Sequence, residues 1–299
     1  VYARRLFALS LLGLAYPYAV AGLALAITLL GVATAFWKDN IAAAILAGLF
    51  LGFIIRFARH IFFAMCPPSG VAISKADAPF LFAEIEKISA EAGAKPPDSV
   101  IIDATFNAGA ASLPGRFLML SPGHNYLVLG LPLMQGLDKD EFRSVLAHEM
   151  ANFSFSHPAS ARLSWRAFHT WTRVRAMVKS QNGPISRLDL GHFAEWYMPH
   201  LDAMLSVSSR GNELEADALE ASITGPDVAA RALAVHALQA KQMGLAYLRP
   251  LWEKARTSPE PPAHVFSDLA NFLREKRPSP AELEKFIRDA QARGGSGLD

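Results

Sequence analysis

The chain has 299 residues and a formal net charge of +2, and 52% of its residues are hydrophobic. That length allows one or two domains, and the apolar fraction is high for a purely soluble protein. The near-neutral charge, without a basic cluster interleaved with aromatic residues, argues against a nucleic-acid partner. The single cysteine, Cys66, excludes an internal disulfide framework and fits a reducing compartment. Because Val1 is not an initiator methionine, we expect further residues before it.

Two apolar segments open the chain, and residues 6–37 and 41–55 contain no charged side chain. The first segment exceeds the roughly 20 residues that cross a bilayer, so it predicts a transmembrane helix in spite of Pro17. The second is shorter, but apolar residues resume at 61–65, and we predict a second span after a tight loop. A cleaved signal peptide fits poorly, since the apolar run is too long and another follows at once. The remaining alternative is a buried helical hairpin of a soluble core.

Basic residues flank both predicted spans. Arg4 and Arg5 precede the first span, and Arg56 and Arg59 lie at the end of the second. The positive-inside rule therefore predicts that both ends of this hairpin are cytoplasmic. A cluster of helix breakers, Cys66-Pro-Pro-Ser-Gly70, marks the start of the globular part. We expect a transmembrane hairpin at 1–65, a cytoplasmic domain at 66–277, and a C-terminal helix with a disordered tail at 278–299.

The predicted globular domain is α+β and mostly helical. Apolar residues recur at helical spacing over residues 76–92, 162–179, 192–222, 229–244 and 266–275. Short apolar runs, separated by Pro-Gly pairs, predict a small, largely antiparallel sheet from residues 99–103, 116–120 and 126–130. The helix at 162–179 mixes aromatic and basic residues, which suits a membrane surface or, equally, a core-facing helix with a solvated basic side.

A further helix is predicted from Asp138, and it carries a candidate metal motif. Asp138 can cap its N-terminus, with Glu141 three residues later to complete a capping box. His148 and Asn152 are four residues apart and therefore lie on one face. Zinc hydrolases of the H-E-x-x-H type use two imidazoles at this spacing and the intervening glutamate as a base. Here the sequence is H-E-M-A-N, with Glu149 in the position of the base.

Asn152 stands where the second imidazole is expected, and a carboxamide oxygen is a weak zinc ligand. His157 would replace it only if the helix breaks near residues 154–156, because a continuous helix turns His157 away from His148. A third ligand must come from elsewhere, and Glu213 is the candidate. Asp217 lies four residues later on the same face, where it can accept the second imidazole N–H of His148. Without the first motif, both acids would be interpreted as a solvated helix face.

The ordered set of motifs resembles the M48 family of membrane-associated zinc metallopeptidases, which includes HtpX-like and CAAX-prenyl-protease-like enzymes. The resemblance spans most of the chain and lies in the apolar hairpin and in Pro79-Phe-Leu81, Phe106-Asn-Ala108, Tyr126-Leu-Val-Leu-Gly-Leu-Pro-Leu133, Asp140-Glu-Phe-Arg-Ser-Val-Leu-Ala-His-Glu149 and residues 209–217. It implies a gluzincin-like metallopeptidase domain that binds one Zn²⁺. By motif position, His148 and Glu213 would be metal ligands, Glu149 the general base and Asp217 the carboxylate that orients His148.

The resemblance also implies a substrate-binding strand and shows two departures from the family. Asn107 and Ala108, together with the strand of Leu127, Val128, Leu129 and Gly130, match the region where such enzymes hold an extended peptide by strand addition. The family motif is usually H-E-x-G-H, so Ala151 and Asn152 both differ. Near the C-terminus, the chain also lacks the Asp-x-His-Pro stretch that many members carry.

These features predict a membrane-anchored, zinc-dependent metalloendopeptidase that acts on proteins or peptides at the cytoplasmic side, with membrane lipid as its other partner. The alternative is a catalytically impaired member that binds extended peptides or membrane-protein partners. Asn152 favours the impaired member, and retention of Glu149 favours the enzyme. A membrane-anchored structural module would leave Glu149, Glu213 and Asp217 unexplained. Among the other histidines, only His200 is a candidate for a metal role, and the rest are expected at the surface or satisfied in the core.

Overall fold

The computed structural model describes residues 2–38, 40–61, 67–113, 123–154, 159–180, 190–258, 260 and 262–292. In chain order, the elements are α1 (Tyr2–Lys38), α2 (Ile41–Ile61), β1 (Val71–Ile73), α3 (Pro79–Glu91), β2 (Ser99–Asp103), β3 (Ala108–Leu113), β4 (His124–Gly130), α4 (Leu131–Gly136), α5 (Lys139–Ser154), α6 (Ala159–Ser180), α7 (Leu190–Thr224), α8 (Pro226–Gln242), a π-helical turn (Met243–Leu248), α9 (Arg249–Ala255), α10 (Val265–Glu275) and α11 (Pro280–Ala292).

The chain divides into two compact units. The first contains Val1–Cys66 and His157–Arg210, and the second contains Pro67–Ser156 and Gly211–Asp299. The division therefore falls inside α7. The sheet and both halves of the predicted metal motif lie in the second unit.

In the first unit, the N-terminal half of α1 packs against α6 and the first part of α7. Its buried side includes Gly13, where a Cβ atom would lie only 2.0 Å from the Tyr197 hydroxyl oxygen. The indole N–H of Trp171 donates to the Gly13 carbonyl at 2.7 Å. The absence of a side chain at residue 13 thus lets two aromatic residues reach the α1 backbone.

The apolar N-terminal segments both form helices. Within the described residues, α1 is long and apolar enough to cross a membrane, and its most apolar window has a mean hydropathy of 2.2. Pro17 lies inside α1 without ending it. The described apolar stretch of α2, Ile41–Gly52, is shorter. Together, the two helices suggest membrane anchoring.

The sheet of the second unit is mixed, with the strand order β1-β2-β4-β3. β1 pairs with β2 and β3 pairs with β4 in antiparallel fashion, but β2 and β4 are parallel. Two of the three pairings are thus antiparallel, in agreement with the predicted, largely antiparallel sheet. The parallel pairing arises because the chain crosses from β2 to form edge strand β3 before β4 fills the space between them. The strand predicted at 116–120 lies outside the described residues, and β1 and β3 were not predicted.

Two apolar clusters hold this unit together. In the first, α3 and α5 cover the sheet and bury Ile85, Ile88, Leu127, Leu129 and Leu146. The second joins α4, α8 and α10 through a set of buried side chains, Phe106, Leu133, Leu137, Val235, Leu269 and Leu273. Helix α5 is thereby fixed along its length against a rigid sheet.

The start of α5 is fixed by the predicted capping box and by an arginine clamp, in which Arg277 and Arg231 contact the Glu141 carboxylate. The backbone N–H of Glu141 donates to Asp138 Oδ1 at 2.9 Å, and the N–H of Asp138 donates to Glu141 Oε2 at 3.0 Å. The side chain of Glu141 is fully buried and accepts hydrogen bonds from Arg277 Nη2 at 2.7 and 2.8 Å. Arg231 Nε lies 3.4 Å from the same carboxylate. Two cations therefore neutralise the buried acid at the base of the motif helix.

We expect Arg277→Ala to destabilise the second unit. Removing one partner of a buried ion pair costs about 3–5 kcal/mol. The half-exposed Arg277 side chain and the remaining Arg231 reduce the expected loss to about 1–3 kcal/mol. Thermal unfolding of the intact chain in detergent measures it, with Lys276→Ala as the neighbouring control. Equal melting temperatures for the two variants would show that the clamp contributes nothing.

Candidate metal centre

Three carboxylates of α7 surround the imidazole of His148 on α5. Glu213 Oε2 lies 3.2 Å from His148 Nε2. On the other side of the ring, Asp217 Oδ1 lies 3.1 Å and Glu220 Oε2 lies 3.3 Å from Nδ1. Because Glu213, Asp217 and Glu220 follow one another at intervals of four and three residues, one face of α7 presents all of them. Two helices distant in sequence therefore meet at the predicted motif.

The Nε2 side of His148 has the spacing of a zinc site. Two ligands bound at about 2.0–2.1 Å with tetrahedral geometry are about 3.3 Å apart. The separation of His148 Nε2 from Glu213 Oε2, 3.2 Å, agrees with that value. Asn152 lies one turn beyond His148 on α5 and is partly buried. The imidazole and the carboxylate at this spacing fit a zinc ion, and Asn152 as the predicted further donor would make a weaker set than two imidazoles.

Glu220 belongs to this cluster but was not predicted. Its carboxylate is largely buried and accepts a hydrogen bond from Ser144 Oγ at 2.6 Å. Ser144 lies four residues before His148, on the same face of α5. The available sequence signal was the seven-residue spacing from Glu213, which places Glu220 on the same side of α7 as the predicted ligand.

The acids surrounding His148 control its protonation. Burial alone would lower the pKa of the imidazole. The hydrogen bond to Glu220 and the charges of Glu149, Glu220 and Asp217 outweigh burial and raise this pKa to about 9. Burial also raises the pKa of Asp217, an effect that the His148 charge opposes. The cluster thus has an excess of negative charge that favours a cation.

Glu149, the acid of the metal motif, contacts strand β3 of the sheet. It is only 8% exposed, and burial raises its pKa, while the His148 charge and a hydrogen bond from the backbone N–H of Ala110 oppose the rise. Ala110 is in β3, at the edge of the sheet. The acid is therefore held where a backbone bound along β3 would pass.

The structure corrects the prediction for the substrate-binding strand. Residues Leu127, Val128 and Leu129 pair with β2 on one side and with β3 on the other, so strand β4 has no free edge there. Gly130 pairs with Asp103, and its N–H donates to the Asn107 carbonyl at 2.8 Å. The two edge strands of the described sheet are β1 and β3, and β3, which begins at the predicted Ala108, is the one that contacts Glu149. The strand order that places β4 in the interior depends on long-range pairing that the sequence does not show.

A cavity of about 380 Å³ opens beside His148 and Glu149. Its polar side includes Asn107, Asp217 and Glu220, and α8 forms the opposite side. The largely apolar remainder of the lining is Ala108, Leu133, Val145, Ala221, Pro226, Ala229, Ala230, Ala232, Leu233 and His236. Because several of these residues are alanines, the wall leaves room for a large apolar group.

Two other histidines, among them the candidate His200, have local partners. His236 Nε2 donates to the Phe106 carbonyl at 3.1 Å, and its ring stacks on that of Phe106. His200 lies in the first unit, where its Nδ1 donates to the Trp196 carbonyl at 2.6 Å. His157 lies outside the described residues.

Comparison with protein families decides the assignment. A family model described as peptidase family M48 matches residues 76–267, which include strands β2, β3 and β4, helix α5 and the acidic face of α7. The chain belongs to peptidase family M48. No curated protein and no solved structure matches it. Membership in M48 implies a metallopeptidase and identifies zinc as the metal to be tested at His148 and Glu213.

Zinc affinity should rise with pH over the neutral range. Because the pKa of His148 is raised to about 9, the metal must displace a proton at any lower pH. We expect the apparent association constant to increase about tenfold per pH unit between about pH 6.5 and 8.5. Competition with a chromogenic chelator measures it. An association constant that levels off above about pH 6.5 would contradict the raised pKa.

Proposed function

We propose that this M48 chain is a membrane-anchored, zinc-dependent endopeptidase that cleaves extended segments of proteins at the cytoplasmic side. The main support is the 3.2 Å separation of His148 Nε2 from Glu213 Oε2, with the buried Glu149 next to His148 in the chain. This arrangement pairs two metal donors with a base of raised pKa at an open strand edge.

In this proposal, His148 and Glu213 hold the zinc, with Asn152 as a weaker third donor. When bound, zinc polarises the scissile carbonyl and lowers the pKa of water. Glu149 accepts a proton from the attacking water and returns it to the leaving amine. Burial suits this role because it raises the pKa of the Glu149 carboxyl group toward neutral pH, which makes the carboxylate a stronger base.

The substrate backbone would pair with the open edge of β3, at Asn107, Ala108 and beyond. Strand addition binds main-chain groups and leaves specificity to side-chain pockets. The cavity between α5 and α8 is the pocket next to Glu149, and its alanine and leucine lining suits a large apolar side chain beside the scissile bond.

The exposed surface of α1 supports the proposed membrane anchoring. Leu23, Leu29 and Leu30 are all more than 60% exposed, which is costly in water and favourable in lipid. We propose that α1 spans the bilayer and that α2 forms a second, shorter span. The arginines at the two ends of this pair favour the cytoplasmic side for the globular domain.

Asn152 supports one competing function. A carboxamide oxygen binds zinc less strongly than an imidazole, so the same fold would serve as a non-catalytic receptor for extended peptides if zinc does not bind. Both functions use the β3 edge, and they differ in metal content and in turnover.

Zinc content and proteolysis separate the two functions. We expect the purified chain to bind about one zinc weakly and to cleave an unstructured protein, and we expect Glu149→Gln to abolish cleavage while retaining zinc. Loss of a hydrogen-bond partner of a metal ligand typically lowers metal affinity about 10- to 100-fold. Asn152→His changes a ligand itself, so we expect it to raise zinc affinity by roughly 100-fold or more. If only the Asn152→His variant binds zinc and cleaves, the result would favour the competing function, a non-catalytic receptor for extended peptides, for the parent chain.

Narrowing the cavity should alter substrate choice. Ala229→Leu adds apolar volume to the wall, so we expect cleavage before aromatic residues to fall about 10-fold or more relative to cleavage before alanine. Leu233→Ala should have the opposite effect. Cleavage of a peptide series that varies only after the scissile bond measures both changes. An unchanged preference in both variants would place the substrate side chain elsewhere.

A further inference from the structure

Two carboxylates compete for one side of the His148 ring. Asp217 Oδ1 and Glu220 Oε2 lie 3.1 and 3.3 Å from Nδ1. An imidazole that binds metal through Nε2 has a single proton on Nδ1, so it can make only one strong hydrogen bond there. The distances differ too little to identify the main acceptor.

The surroundings of the two acids differ much more than their distances. The side chain of Asp217 is 58% exposed, whereas that of Glu220 is 11% exposed. Water solvates an exposed carboxylate and allows it to change conformation, which weakens its control of a neighbouring ring. A buried carboxylate has few other partners and makes a stronger charge-assisted hydrogen bond.

Ser144 fixes Glu220 in the required orientation. Its hydroxyl group is buried on α5, one turn before His148, and donates to Glu220 Oε1 at 2.6 Å. This hydrogen bond leaves Oε2 directed at His148. Because Ser144 and His148 share α5 while Glu220 and Glu213 share α7, it also ties together the two helices that carry the proposed ligands.

We propose that Glu220, held by Ser144, is the residue that positions the His148 imidazole for metal binding, and that Asp217 has a secondary role. This inference rests on the proposed function of His148 as a metal ligand. It assigns to the buried Glu220 the orientation of the His148 imidazole, a role that the sequence suggests for Asp217. With a weak donor at Asn152, the site relies more on a correctly oriented imidazole.

The cluster suggests one other role for Glu220. His148, Asp217 and Glu220 each offer an atom within 4.8 Å of the others, so a metal on the Nδ1 side would use all three as ligands. In that case, Asp217 and Glu220 would be equally important and Glu213 would be dispensable. The positioning role predicts a different order, in which Glu213 matters most, Glu220 less and Asp217 least.

Zinc binding by four variants of the intact chain in detergent tests this order. We expect Glu220→Gln to weaken zinc binding by about 10- to 100-fold, the usual loss for an outer partner of a ligand. Glu213→Gln should weaken it further, and Asp217→Asn should cost only a few-fold. The matched control is Glu215→Gln, an exposed acid on the same helix, which should bind as the parent does. Equal large losses for Asp217→Asn and Glu220→Gln, with none for Glu213→Gln, would overturn the proposal.

A second readout does not require zinc. Nitrogen-15 NMR of the labelled histidines in metal-free protein follows the titration of His148. Glu220→Gln should lower the pKa of His148 more than Asp217→Asn does, and Ser144→Ala should lower it in part while leaving the charge of Glu220 in place. A larger effect of Asp217→Asn would overturn the proposal.

The two readouts separate failure of this inference from failure of the proposed function. If the parent chain binds no zinc, the proposed peptidase function fails, but the NMR order still decides whether Glu220 or Asp217 controls the ring. Unchanged circular dichroism of each variant confirms that the fold is retained. If Glu220→Gln does not fold, Ser144→Ala must reduce both zinc affinity and the pKa of His148, and parent-like values for Ser144→Ala would overturn the proposal.

Discussion

Charge balance around one imidazole is the constraint on which the rest of the site depends. Glu149, Glu213, Asp217 and Glu220 gather close to His148, and such a concentration of acid at a partly buried position is unstable unless a cation is shared among them. The neighbouring carboxylates raise the pKa of His148, so a proton on the imidazole is favoured as that cation. A divalent metal would neutralise the same charge more fully. The site therefore has a built-in demand for positive charge that the family's metal would satisfy.

The fold supports this balance by fixing the helix that carries the histidine. Helix α5 packs with α3 against the sheet, and its first turn is held by Glu141 with Arg277 and Arg231. Ser144 lies between that clamp and His148, and it connects α5 to α7 through Glu220. A buried acid with two arginine partners and a serine bonded to a buried acid thus both hold α5 on the N-terminal side of the motif, and the second contact joins α5 to α7.

Local signals in the sequence were sufficient for the motif but not for its surroundings. The capping box at Asp138 depends on spacing within one helix, and the contact of His148 with Glu213 was expected from the motif class and not from spacing; both are present in the structure. Glu220 was missed because its burial depends on Ser144, a contact between helices distant in sequence. Strand β3 was missed because its small residues, Ala-Gly-Ala-Ala-Ser-Leu, have no alternation of apolar and polar side chains. The interior position of β4 follows from strand order, which only long-range pairing determines.

The small residues of β3 have a consequence for what a peptidase with this edge can select. A strand of alanine, glycine and serine offers main-chain groups and little side-chain contact, so it recognises the shape of a polypeptide more than its composition. Helices and sheets of intact proteins already satisfy their own N–H and C=O groups, and they cannot pair with such an edge without first opening. A protease built on β3 would therefore bind extended segments in preference to folded ones.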